Sequence, residues 1–192
     1  YISNYDNLEE KPFNLTQMDN IIQLYNNSWE PTLKELTVIC FCEKNDSIPM
    51  WSYYGDEHKG FCLEYNICDI TQIGGRLLKV DYCDKPNYLE KTLSIDIFQK
   101  IQIYDLVVSF ISTKPLEYEH EKEWRFVQFN QKIEELAKGI EIDSPKPTAI
   151  YLGCRNEFGD GIIRAIHSSL QIPIFKMKPS TGTFTMLNEQ IM

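Results

Sequence analysis

The chain has 192 residues and a mass of 22.5 kDa, and its 43% hydrophobic and 12% aromatic content excludes a disordered polymer and fits one globular domain over 1–192. A formal charge of -9 and a pI near 4.9 leave no basic footprint for phosphate neutralisation, so a small molecule or a protein is the expected partner rather than nucleic acid. No stretch reaches the roughly 18 apolar residues of a membrane helix, so no membrane association is expected. The six cysteines come without a signal-peptide pattern, which reads as reduced thiols in a cytoplasm.

The first residue is Tyr1, which reads as a chain lacking its native N-terminal start. Met18, Ile21, Ile22 and Tyr25, after a Thr16 cap, predict an amphipathic helix from Thr16 to Trp29. "LTVICFC", Leu36 to Cys42, is β-rich and apolar and predicts a buried strand. Asp46 or Ser47 can cap a short helix with Pro49 in its first turn, ended by Gly55 or Gly60 and followed by a strand from Phe61 to Tyr65. Met50, Trp51, Tyr54 and His58 recur at steps of three and four, so they are expected on one helix face, with His58 at the helix end. "RLLKVDY", Arg76 to Tyr82, predicts a strand after a Gly74-Gly75 turn, and Leu89 to Ile111 predicts the longest helix.

After Lys114-Pro115, "LEYEHEKEWRF" places a glutamate at every second position from Glu117 to Glu123. In a strand this is one carboxylate row with neighbours about 7 Å apart. The plain reading is a solvated edge with Lys122 and Arg125 offsetting charge. Glu123, however, stands where the segment runs into Trp124, Phe126 and Phe129. A carboxylate there either loses its charge on burial, as a general acid or base does, or stays ionised beside Arg125 and stabilises a cation. "TAIYLG", Thr148 to Gly153, predicts a buried strand, Asp160 to Leu170 a helix, and "IPIFKMK" and "TGTFTML" two strands around a turn near 179–182. Strands and long helices do not alternate regularly, so the expected fold is α+β with a mixed, largely antiparallel sheet.

Other chemistries have weaker support. Cys40 and Cys42 share a strand face, and His58 precedes Cys62 by four residues, but no Cys-x-x-Cys pair exists and His120 and His167 stand apart, so no metal site is expected. Cys62 with His58 is the one close thiol–imidazole pair, and a core cysteine is its simpler reading. Glu57-His58-Lys59 has the Glu-x-Lys spacing of a metal-dependent nuclease, but at a turn rather than on a strand.

"CFCEKNDSIPMWSYYGDEHKGFC", "YEHEKEWRF" and "AIYLG", together spanning Cys40 to Gly153, resemble a widespread bacterial family known as Domain of Unknown Function 2971, with Cys42 where its members carry serine. The resemblance implies a bacterial or phage-associated origin and no established activity. In addition, Glu121-Lys122-Glu123 is similar to the Glu-x-Glu motif of mono-ADP-ribosyltransferases. That similarity implies Glu123 holding the nicotinamide ribose of NAD while the glycosidic bond breaks, and Glu121 orienting the acceptor. "FIST", Phe110 to Thr113, resembles their serine-threonine motif but stands far closer to Glu123 than in that fold, and His58 is the first residue able to act as their early Arg or His.

The expected site therefore has Glu123, Glu121 and His58 as catalytic residues and Trp51, Tyr54 and Arg125 binding a small nucleotide-type ligand, with NAD as the substrate implied. The competing expectation is a non-catalytic binding or regulatory module in which the same residues form a buried polar network.

Overall fold

A computed structural model describes residues 36–84, 103–129 and 144–192. The expected helix from Thr16 to Trp29 and the part of the Leu89–Ile111 helix before residue 103 lie outside the described residues. In chain order the elements are β1 (Leu36–Cys42), α1 (Ile48–Tyr53), β2 (Phe61–Glu64), α2 (Ile67–Thr71), β3 (Arg76–Lys79), β4 (Asp81–Cys83) and α3 (Ile103–Ile111). They continue with β5 (Thr113–Pro115), a 3-10 helix (Leu116–Glu121), β6 (Glu123–Phe129), β7 (Ala149–Leu152), α4 (Asp160–Leu170), β8 (Ile174–Pro179) and β9 (Met186–Gln190). Four of the six described strand pairings are antiparallel, so the fold is α+β with largely antiparallel sheets, as the sequence predicts.

The larger sheet has the order β2-β7-β8-β9. Its strand β7 is buried at every residue, because alternate side chains enter two different cores. Ala149 and Tyr151 join Trp51, Met177 and Met186 on the face that α1 covers. Ile150 and Leu152 join Ile172 and Ile174 on the other, where α4 lays down Ile163, Ile166 and Leu170. That double burial explains the unbroken apolar run in the sequence, and the parallel β7–β8 pairing explains the intervening helix.

The second sheet has the order β1-β6-β3, with β6 central. Its register runs from Leu36 opposite Phe129 to Cys42 opposite Glu123 on one side, and from Arg76 opposite Val127 to Lys79 opposite Trp124 on the other. Helix α3 covers one face through Val107 and Ile111, which pack on Val127, Leu36 and Leu78. A parallel pair, β4 with β5, sets Tyr82 opposite Lys114.

Four expectations are corrected. The row from Glu117 to Glu121 is not a strand: after Pro115 the chain winds into the 3-10 helix, and Lys122, with φ of 47°, breaks it before β6 begins at Glu123. With about three residues per turn the alternate glutamates no longer share a face, and Glu117 and Glu119 are exposed while Glu121 is buried. Strand β1 is not buried but edge-placed, with Val38, Ile39 and Cys40 exposed. Arg76 to Tyr82 is two strands split at Val80, because β3 pairs with β6 and β4 with β5. Finally, α1 stops at Tyr53, so His58 is not on its face.

His58 belongs instead to a turn in which Asp56, Glu57 and His58 are all left-handed, with φ of 48°, 50° and 69°. The turn is held from both sides. His58 N–H donates to the Trp51 carbonyl at 3.1 Å, and Arg155 N–H donates to the His58 carbonyl at 3.0 Å. The approach is so close that a Cβ on Gly153 would stand 2.1 Å from the His58 oxygen, which is why the apolar run of β7 ends in glycine.

Candidate functional site

Glu123 and Arg125 are two residues apart on β6, so their side chains share a face. Arg125 straddles the carboxylate: Nε donates to Glu123 Oε1 at 2.8 Å and Nη2 to Oε2 at 3.0 Å. Its Nη1 donates to the Ile111 carbonyl at the end of α3. Lys114, carried by β5, places its ammonium 3.2 Å from Glu123 Oε2 and 2.5 Å from Glu121 Oε2. Tyr82, the strand partner of Lys114, accepts the Glu123 backbone N–H at 2.8 Å. Tyr54, at the C-terminal cap of α1, donates its hydroxyl to Glu121 Oε1 at 3.3 Å.

Both carboxylates are 5% exposed, so their charge is tolerable only because it is paired. For Glu123 burial works to raise the carboxyl, but Arg125, with the Cys40 thiol and Lys114, outweighs it and brings it down to about 2. Of the two alternatives for a carboxylate at this point, Glu123 takes the ionised one. Burial alone would lower the Lys114 ammonium, yet Glu121 and Glu123 reverse this and raise it, and the Glu123 hydrogen bonds raise Arg125. Four groups of alternating sign thus form one locked chain from Arg125 to Glu121.

This chain lines a cleft of about 1070 Å³. One wall is the run from Ile39 to Asp46, along β1 and past its end, and another is Cys62 to Tyr65, along β2, so the cleft lies between edge strands of the two sheets. Phe41 and Tyr65 meet edge to face across it, with ring centroids 6.1 Å apart. Trp124 contributes to the wall and is pinned by its Nε1, which donates to Glu43 at 2.8 Å. The volume suits a nucleotide-sized organic ligand.

Of the expected site residues, Glu121, Glu123, Arg125 and Tyr54 are brought together on this cleft. Trp51 and His58 are not among its lining residues. Trp51 is buried in the core beneath β7, its Nε1 donating to the Asn45 carbonyl at 2.6 Å, and it borders a smaller hollow beside Tyr54. His58 is fixed through its backbone, and its Nδ1 is buried without a hydrogen-bond partner among the described residues. Lys114 and Tyr82 are additions for which the sequence reading has no role, and Cys40, weighed there only as a metal ligand, meets Glu123 instead. Lys114 had one signal available, as an isolated cation directly before a run of four glutamates.

The weaker chemistries gain no geometry. Burial, then Cys42 and Glu64, push the Cys62 thiol up to about 11, and burial with Glu123 does the same for Cys40, so neither supplies a thiolate near neutral pH. Lys59 pairs with Glu57 at 3.5 Å on the exposed turn. Ser112 and Thr113 of "FIST" return their hydroxyls to the Ser109 carbonyl. Among the described residues no cluster of three His, Cys, Asp or Glu is arranged for a metal, and no helix is long and apolar enough to cross a membrane.

Residues 50–126, about two-fifths of the chain, match the model of a family described as protein of unknown function, DUF2971. The matched stretch contains Trp51, Tyr54, His58, Lys114, Glu121, Glu123 and Arg125, whereas the "CFC" strand and "AIYLG" lie outside it. Comparisons with curated proteins and with solved structures return no match.

Proposed function

We propose that the chain is a bacterial, cytoplasmic member of that family and that it is a binding module, holding a small organic ligand in the cleft against Glu121 and Tyr54. One observation carries the reading: Lys114 is shared between Glu121 and Glu123 while Arg125 grips Glu123 by both oxygens. Glu123 is therefore saturated and serves to fix the charged wall. Glu121 Oε1, met among the described residues by the Tyr54 hydroxyl at a long 3.3 Å, is the acceptor left for a ligand.

A second reading is cleavage of a nucleotide-type glycosidic bond, with NAD as substrate. It is supported by an ionised Glu123 on the wall of a cleft of nucleotide size, since a fixed carboxylate opposes the positive charge that develops on the sugar. In this reading Glu121 orients the acceptor and Tyr54 positions the ligand. Binding is placed first because Arg125 and Lys114 already neutralise Glu123, leaving it less to offer a cation.

Titrating the isotope-labelled chain with a set of small organic fragments, read by NMR shift changes, tests the reading. Hits are expected to map to Phe41, Cys62 and Tyr65 and to vanish in Leu63→Trp, which fills the cleft from β2. Shifts that survive the filled cleft would sink it. Incubation with NAD separates the two readings: nicotinamide release abolished by Glu123→Gln would promote the enzyme, and release indifferent to that change would remove it.

A further inference from the structure

We infer that the ligand of this cleft is an organic cation, a primary ammonium or guanidinium on an apolar stem, received by Glu121 as the Tyr54 hydroxyl swings aside. The inference rests on the binding reading above and gives it a ligand class.

The first argument is the supply of donors and acceptors. The half-buried cations of the cleft are engaged: all three Arg125 nitrogens donate to Glu123 or to the Ile111 carbonyl, and Lys114 donates to both glutamates. Lys44, after β1, is the remaining lysine among the described lining residues. Against these stand Glu43, Asp46, Glu64, Glu121 and Glu123. A phosphate would enter against that field and find no unengaged guanidinium. A ligand that brings donors meets acceptors instead, because each carboxylate offers about four lone-pair sites.

The second argument is independent of that count, since the chain's own ammonium groups show what these walls hold. Lys79 Nζ lies 2.7 Å from Glu43 Oε1 and 5.4 Å from the centroid of the Trp124 ring. Lys114 Nζ lies on Glu121 and Glu123 and 4.8 Å from the Tyr118 ring. Twice beside one cleft, a carboxylate and an aromatic face together cage an ammonium, the arrangement that recognises cationic ligands elsewhere. At Glu121 the same pair of elements faces the cleft itself. The carboxylate is fixed by Lys114, the Tyr54 ring stands beside it, and Phe41 and Tyr65 offer apolar area to a stem. Tyr54 is 66% exposed and its bond to Glu121 is long, so it can yield the oxygen.

Calorimetric titration of the full chain with 1,4-diaminobutane, with 1,4-butanediol as the uncharged counterpart and with adenosine monophosphate as the anion, tests the class. Binding is expected for the diamine alone and is expected to weaken with salt. Glu121→Gln should weaken it by at least about tenfold, as loss of a charged hydrogen bond does. Tyr54→Phe removes the competing hydroxyl, leaves the ion pairs intact and should tighten binding, so the proposal stays testable if Glu121→Gln fails to fold. Diamine binding indifferent to both variants overturns the assignment. Nucleotide binding that Leu63→Trp abolishes, or fragment hits in the cleft with the diamine silent, overturns the cation while leaving the binding reading standing. Fragment hits that ignore the filled cleft overturn that reading itself.

Discussion

In the sheet centred on β6, the strand that enters the interior begins with Glu123 and Arg125, whereas the buried strand of the other sheet is Ala149, Ile150, Tyr151 and Leu152. Both strands lose their water, by different means. β7 fills two apolar cores, and its stability follows from area removed from solvent. The 3-10 helix and the start of β6 bury one carboxylate each, Glu121 and Glu123, and neutralise them with Arg125 and Lys114, an arrangement that gains little over apolar packing but fails badly when one member is removed. A charged wall built this way is sided, as a binding surface requires, whereas the apolar core does not rest on ion pairs.

The comparison would be broken most directly at Arg125. Arg125→Met should cost about 3–5 kcal/mol in urea unfolding near neutral pH, because it leaves Glu123 buried with one of its two cations gone. A loss under about 1 kcal/mol would mean that water reaches Glu123 freely, and the contrast would dissolve.

Truncation in the apolar sheet supplies the counterpart. Ile174→Ala, at a position with 1% exposure, should cost about 2–5 kcal/mol through lost contacts and a residual cavity. The cost should be the same at pH 5 and pH 8, and a loss that varied over that range would show that the larger sheet is coupled to titrating groups.

Acid sharpens the difference. The Glu123 carboxyl is held at about 2 in the folded chain against 4.5 ordinarily, so its contribution is fully present above pH 4.5 and disappears as the pH falls toward 2. The amount is on the order of 3 kcal/mol. Glu123→Gln should therefore show a shallower fall in stability between pH 5 and pH 2, and parallel curves for variant and wild type would refute the assignment.

The smallest effect is expected at the surface. Lys178 and Glu189 pair across β8 and β9 with both side chains more than half exposed, and Lys178→Ala should change stability by no more than about 0.5 kcal/mol. A larger change would mean that exposed ion pairs rank with the chain from Arg125 to Glu121.

What is legible in the sequence alone follows the same division. β7 and α4 were legible because burial on two faces leaves an unbroken apolar run and burial on one helix face leaves a period of three to four. The Glu123–Arg125 pair was legible because a strand fixes residues two apart on one side. Glu121 lines the cleft beside Glu123 without the strand that alternation implies, because Pro115 and the left-handed Lys122 impose a tight helical turn. Tyr82 was out of reach because its contact to this segment crosses 41 residues of chain, and for Tyr54, expected at the site, nothing in the sequence hints that its partner is Glu121, 67 residues away. No local period encodes such a meeting. His58 misled because helical spacing was extended past Tyr53, where the backbone had already turned left-handed.

Trp124 gives the cleft its own optical gauge. Its indole lies along the cleft wall, hydrogen-bonded to Glu43 with the Lys79 ammonium over the ring, while Trp51 is sealed in the core beneath β7. Two indoles in such different surroundings emit differently, the core one at shorter wavelength, and a solute that enters the cleft reaches one and not the other. With Trp29 replaced by phenylalanine, intrinsic emission alone would follow occupancy of the cleft, with no label attached to the chain.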